Sequence, residues 1–151
     1  MAQAASIRFG KTFILLSDMA TPANFAAPCG VDSLTLNVNV NTNDVAIPDC
    51  SDPDLPSWLE NDIVSKQMTI NFEGLLDQTA MQTWQDWWLS DLPADIVDIR
   101  FFRDLTGAQG GGYFQAPAIL SAYSETAQTK QRWRNSGTLL LQGKPTFTAA
   151  S

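Results

Sequence analysis

Hydrophobic and polar positions alternate strictly between residues 33 and 41: Leu34, Leu36, Val38 and Val40 fall on one side, Ser33, Thr35, Asn37, Asn39 and Asn41 on the other. Period-two alternation predicts a strand with one buried face, here from about residue 29 to residue 40. Residues 63–73 repeat the design, with Met68, Ile70 and Phe72 on the apolar side and Ser65, Gln67, Thr69, Asn71 and Glu73 opposite. Neither polar face carries Lys or Arg, and Asn, a poor strand former, recurs along the first. Solvated strands ordinarily carry charge, Lys especially, so two matched faces without a cation call for a physical reason.

The pattern elsewhere is again mostly strand. "SIRFGKTFILLSD" ends in the apolar run Phe13–Leu16 and is followed by the turn-prone "MATPANFAAP". "ADIVDIRFFRD" places Val97, Ile99 and Phe101 on one face, "LTGAQGGG" reads as a hairpin tip, and "YFQAPAILSAYSE" follows as a strand. Residues 138–142 read as the last strand. One helix stands out: Asp77 can cap "QTAMQTWQDWWLSD", where Met81, Trp84 and Trp88 recur at i, i+3 and i+7, with Ala80 and Trp87 widening the stripe. That stripe belongs to the core, against the sheet. A single helix among about seven strands predicts a mainly β fold, an antiparallel sandwich or small barrel with one flanking helix.

Between the two alternating strands lies a long interruption. Residues 41–62 are far more than a hairpin turn of about two to five residues needs. Pro48, Pro53 and Pro56 stiffen this arm and forbid ladder pairing where they stand, and Ile47, Leu55, Trp58 and Leu59 are apolar groups placed as if exposed. The pattern suggests an arm that docks on another subunit, with the alternative that it folds back over its own core.

Composition narrows the chemistry. The 151 residues, 44% of them hydrophobic, suit one domain over 1–151 with a sizeable core. Sixteen Asp and Glu against nine Lys and Arg give a formal charge of −7, so the whole molecule repels polyanions. With no His, histidine-activated nucleophiles, histidine metal sites and histidine proton shuttles are excluded. Cys29 and Cys50 are too few for a thiolate zinc site and are expected as free thiols. No metal, cofactor or catalytic group is expected. Gly110–Gly112 are followed by no helix pattern and no Lys-Ser/Thr pair, so they read as a hairpin loop, not a phosphate cradle. Neither a signal peptide nor an apolar run of about 20 residues is present, which leads to the expectation of a chain kept in the cytosol without membrane insertion.

The order of parts, "CGVDSLTLNVNVNTNDV", a long arm, "SKQMTINFEGLLD", a helix, "DIRFFRD" with "GGGYFQAPAILSAYSE", and "SGTLLLQGKPTF", resembles the major tail tube proteins of long-tailed phages and phage-like gene transfer agents. Type VI secretion tube proteins share the architecture. The resemblance implies hexameric rings that stack into a hollow tube, an inner sheet continuing between subunits to complete a larger β-barrel, and assembly in the host cytoplasm before residence in a virion or particle tail. It also implies tape-measure and tail terminator proteins as partners, and DNA in transit without specific binding.

On that reading Thr35, Asn37, Asn39, Gln67, Thr69, Asn71 and Glu73 face the lumen, where a wall without cations does not anchor DNA. Ile47, Leu55, Trp58 and Leu59 of the arm form an inter-ring contact. Arg100, Arg103, Arg132 and Arg134 are expected to pair with carboxylates at subunit contacts. Two other classes fit the residues less well. A carbohydrate-binding sandwich should expose aromatics on a strand face, whereas here they cluster on the helix; a glycosidase needs paired acids, and the nearest local pair, Glu73 and Asp77, reads more simply as a strand-end charge and a helix cap.

Overall fold

The computed structural model describes residues 3–18, 24–91 and 95–150. Its elements are β1 (Thr12–Ser17), β2 (Phe25–Ala26), β3 (Val31–Ile47), β4 (Trp58–Leu75), α1 (Gln78–Leu89), β5 (Ile96–Arg103), β6 (Gly112–Thr126), β7 (Arg134–Leu141) and β8 (Thr146–Ala149). All pairings are antiparallel, in the order β2-β1-β5-β6-β7-β4-β3, with β8 against β6. The sheet does not close into a barrel; it is a sandwich-like arrangement with one helix. β6 joins its two halves, since Gly112–Ile119 pair with β5 and Ala118–Thr126 with β7. A bulge between Leu120 and Ala122 lies where one ladder gives way to the other.

The two alternating segments are partners, as their matched patterns require: Leu36 lies opposite Ile70 and Leu34 opposite Phe72. The ladder runs much further than the sequence suggests, continuing to Ile47 opposite Trp58. The expected interruption is therefore mostly strand, and only residues 48–57 form the connecting loop. Proline forbids pairing only where it stands, and Pro48, Pro53 and Pro56 all lie in that loop. A bulge at Val64, where Asn41 pairs with Ser65 and Thr42 with Ile63, resets the alternation, so Ile63 returns to the apolar side of β4. Two strands escape the periodicity altogether. β2 is too short to show a period, and β8 follows the expected last strand; residues 19–23 of the "MATPANFAAP" loop lie outside the described residues.

The core lies between the apolar sides of the sheet and α1. Ile14, Leu16, Ile70, Phe72, Ile99 and Leu139 are buried from the sheet, and Ala80, Trp84 and Trp87 from the helix. The helical stripe is thus centred on i, i+4 and i+7, with Trp88 exposed and Met81 half-buried, one position round from the stripe the spacing suggests. Trp84, 1% exposed, stacks on Phe72 with ring centroids 4.4 Å apart. Gly137 makes room for that stack, because a Cβ there would stand 2.7 Å from the Phe72 ring. Trp87 Nε1 donates to the Asp95 carbonyl at 2.9 Å, so its polar edge is satisfied. Asp77 caps the helix as expected, accepting from Ala80 N at 3.2 Å and from the Thr79 hydroxyl.

Candidate functional site

The side of β3 and β4 turned away from the core continues across β7 and onto β6. Residues opposite one another in a ladder share a face, and the registers give rows: Ser33, Glu73, Ser136 and Ser124; then Thr35, Asn71, Thr138 and Ala122. Neighbouring side chains satisfy one another, with Ser124 Oγ and Ser136 Oγ at 2.8 Å and Thr138 Oγ1 donating to Asn71 Oδ1 at 2.7 Å. The surface is gently hollow, with a concavity of about 350 Å³ lined in part by Ser33, Thr35, Asn71, Ser136 and Thr138. One cation borders this surface. Arg134 Nη2 donates to both Asp32 carboxylate oxygens at 3.2 and 3.1 Å and lies 3.7 Å from Glu73. Its charge is held between two carboxylates, and the wall as a whole offers no unopposed Arg among these residues.

Thr35, Asn39, Gln67, Asn71 and Glu73 are exposed on this face and Asn37 is half-buried. Thr69, between its ladder partners Asn37 and Leu140, is only 9% exposed and contributes little surface. The contributions of Ser136, Thr138 and Ser124 escape the sequence reading. Polar positions 134, 136 and 138 do alternate, but the run Leu139–Leu141 hides which leucine faces which way; the structure buries Leu139 and Leu141 and turns Leu140 toward the wall.

The β3–β4 hairpin carries the wall beyond the rest of the sheet and ends in an acidic tip. Asp49 Oδ1 accepts from Ser51 N at 2.7 Å and Asp52 N at 3.0 Å, and these backbone donors, Asp52 foremost, hold the Asp49 carboxyl below the usual carboxylate range. Ile47, Leu55 and Leu59 are exposed here and Trp58 is 87% exposed. The arm does not fold back to cover them. On its apolar side Val38, Val40 and Ile63 are also exposed, because the ladder outruns the core against which Leu34 and Leu36 are half-buried.

Two of the other charged candidates, Arg100 and Arg103, have partners within the chain. Arg100 lies over the Phe25 and Tyr113 rings at 3.8 and 4.4 Å, with Nε donating to Gln115 Oε1 at 3.0 Å, and Arg103 lies over Phe114 at 5.1 Å. Arg132 has no ion-pair partner among the described residues. Glu73 is spent on Arg134 and Asp77 on the helix N-terminus, so the two do not form an acid pair. Cys29 and Cys50 are free and exposed. Phe13, Phe102 and Tyr113 form a row on the outer face of β1, β5 and β6, with centroids 6.3 and 6.4 Å apart; the aromatics are therefore less confined to the helix than their spacing suggests.

Two of the open sheet edges matter for the wall. β3 has a partner on one side only, and β6 beyond Ile119 is paired with β7 but not with β5. These edges bound the polar wall on its two flanks.

The family model described as phage tail tube protein matches residues 8–147. No curated relative matches the sequence. Among solved structures, the fold is similar to the tail of an empty gene transfer agent (GTA) particle refined with C6 symmetry, with a TM-score of 0.74 and 15% identity over 95% of this chain and 100% of the other. It is also similar to the SPP1 tail tube, with a TM-score of 0.68 and 6% identity over 97% and 81%. The anti-feeding prophage baseplate, symmetrised six-fold, gives a TM-score of 0.53 and 11% identity over 100% and 99%. At such identities these likenesses establish the fold.

Proposed function

The chain belongs to the phage tail tube protein family, and on that footing we propose that six copies close into a ring, that rings stack into a hollow tube, and that the polar wall lines the lumen through which DNA passes. Its role is structural, not enzymatic. The observation that carries the reading is the wall itself: a face of hydroxyls and amides over four strands, its single Arg held by carboxylates, flanked on both sides by open strand edges. An exposed edge is a template for pairing. Joining β3 of one copy to the free stretch of β6 in the next satisfies both edges and makes the walls one continuous inner sheet, and the ring number follows the six-fold symmetry of similar assemblies.

Duplex DNA presents a charge about every 1.7 Å, and a wall of Lys or Arg would hold it through counterion release. Ser, Thr, Asn and Gln keep the wall hydrated without anchoring phosphate, and the carboxylates around Arg134 cancel that cation. The hairpin arm projects along the axis to the adjacent ring, with Ile47, Leu55, Trp58 and Leu59 as its contact residues. Assembly takes place in the host cytoplasm, with tape-measure and terminator proteins setting the length and end of the tube. The test is to place Lys at Asn37, Asn39 and Asn71 together. Tubes should still assemble while DNA ejection slows or stops; ejection at the normal rate from such particles would remove the conduit reading.

A further inference from the structure

The hairpin has two chemically opposite ends. From Ile47 back to Val31 and from Trp58 to Leu75 its strands span about 55 Å at the usual rise per residue. At the tip, residues 41–65 contain Asp44, Asp49, Asp52, Asp54, Glu60 and Asp62 but no Lys or Arg. At the base, Leu75 N donates to Gly30 O and Leu76 N to Trp133 O, each at 2.9 Å. Gly30, with φ +94° and a position where a Cβ would stand 2.2 Å from Leu75 O, permits this closure. Beside it opens a groove of about 730 Å³ between the start of α1 and residues 132–133.

Leu75, Met81 and Trp133 give the groove apolar surface and Arg132 gives it charge, with Lys130 two residues earlier. Trp133 and Leu75 are exposed, and Arg132 has no ion-pair partner among the described residues. The groove's own carboxylate, Asp77, is taken by Ala80 N and the Thr79 hydroxyl. A groove with apolar walls and a cationic rim thus stands at one end of the element whose other end bears anions, Leu55 and Trp58.

We propose that the tip of one subunit seats in the groove at the base of the hairpin of a subunit in the next ring, with Trp58 and Leu55 against Leu75 and Trp133 and the tip aspartates against Lys130 and Arg132. A contact between opposite ends of one element is head-to-tail, so every ring that docks presents a fresh groove and the polymer stays open. The inference rests on the tube reading and adds the surface that receives the arm.

Cys50 lies in the tip loop and reports the contact directly. In tubes of the Cys29→Ser, Gln78→Cys chain, mild oxidation should link Cys50 of one copy to the groove thiol of another and give a covalent ladder on a non-reducing gel, extending past the ring number. A ladder that closes at the ring number would place the tip within its own ring and overturn the proposal. So would intact tubes with no ladder, which leave some other surface or protein to receive the tip. As an independent reading, Lys130→Glu with Arg132→Glu should raise the concentration needed for polymerisation about ten-fold or more, and adding Asp52→Lys with Asp54→Lys should restore it. Undiminished assembly of the groove variant would sink the inference and leave the tube standing. Failure of the unaltered chain to form tubes would remove both.

Discussion

Trp84 and Tyr123 are the residues on which the packing of α1 against the sheet turns. Trp84 stacks on Phe72, lies 5.9 Å from the Tyr123 ring and 6.1 Å from Trp87, so Trp84→Ala should lower stability by about 3–5 kcal/mol in chemical denaturation. Asp77→Ala removes only the cap and should cost about 1 kcal/mol. Burial, chiefly, pushes the Tyr123 hydroxyl up to about 12; the Glu125 carboxylate it donates to at 2.9 Å adds to the rise, and a donor from Asn135 opposes it. Its folded value lies above the unfolded value of 10.0. The stability it contributes is therefore complete below pH 10 and is lost as pH rises toward 12. Tyrosinate absorbance should show one late-ionising tyrosine, and Tyr123→Phe should flatten the alkaline limb of the unfolding profile between these values; an unchanged limb would mean that Tyr123 does not govern it. At this scale the sequence reads well where spacing alone decides, as for the Asp77 cap and the buried Trp84. It reads poorly for Arg100 and Arg103, whose aromatic partners come from other strands.

The β3–β4 hairpin shows how far an element can be read from its pattern. Alternation identifies both strands and their polar faces because burial of Ile70 and Phe72, with Leu34 and Leu36 packed half-buried beside them, imposes it. Past Val40 no core remains to impose an alternation, so the distal ladder looks like loop in sequence even though its backbone is paired to Ile47. The bulge at Val64 then shifts Ile63 to the side that parity denies it, which no period-two count can foresee. Trp58, exposed at the far end of this element, touches none of the core described above. Trp58→Ala should leave circular dichroism unchanged and weaken polymerisation, since truncating a tryptophan anchor commonly costs about 2 kcal/mol or more at an interface. Loss of folded structure would place Trp58 in the subunit's own stability, and normal tube yield would remove it from the contact between rings.

For the whole molecule, the mainly β fold with one helix is legible because strand and helix periods differ so sharply along this chain. The order of the strands is not, since the crossing of β6 between two ladders and the addition of β8 to its edge depend on long-range pairing. The wall likewise becomes complete only in three dimensions, where Ser136, Thr138 and Ser124 join the faces that β3 and β4 announce. Its meaning is a property of the assembly: a concave polar surface without an unopposed cation, two open edges and a projecting acidic arm have a common use if copies join edge to edge and tip to base. Electron cryomicroscopy of filaments grown from the concentrated protein tests this most directly. The expected image is a hollow tube of six-fold rings whose inner surface carries Thr35, Asn39, Asn71 and Thr138, with β3 paired to β6 of the neighbouring copy. A tube with that face turned outward or buried, or concentrated protein that remains monomeric, would contradict it.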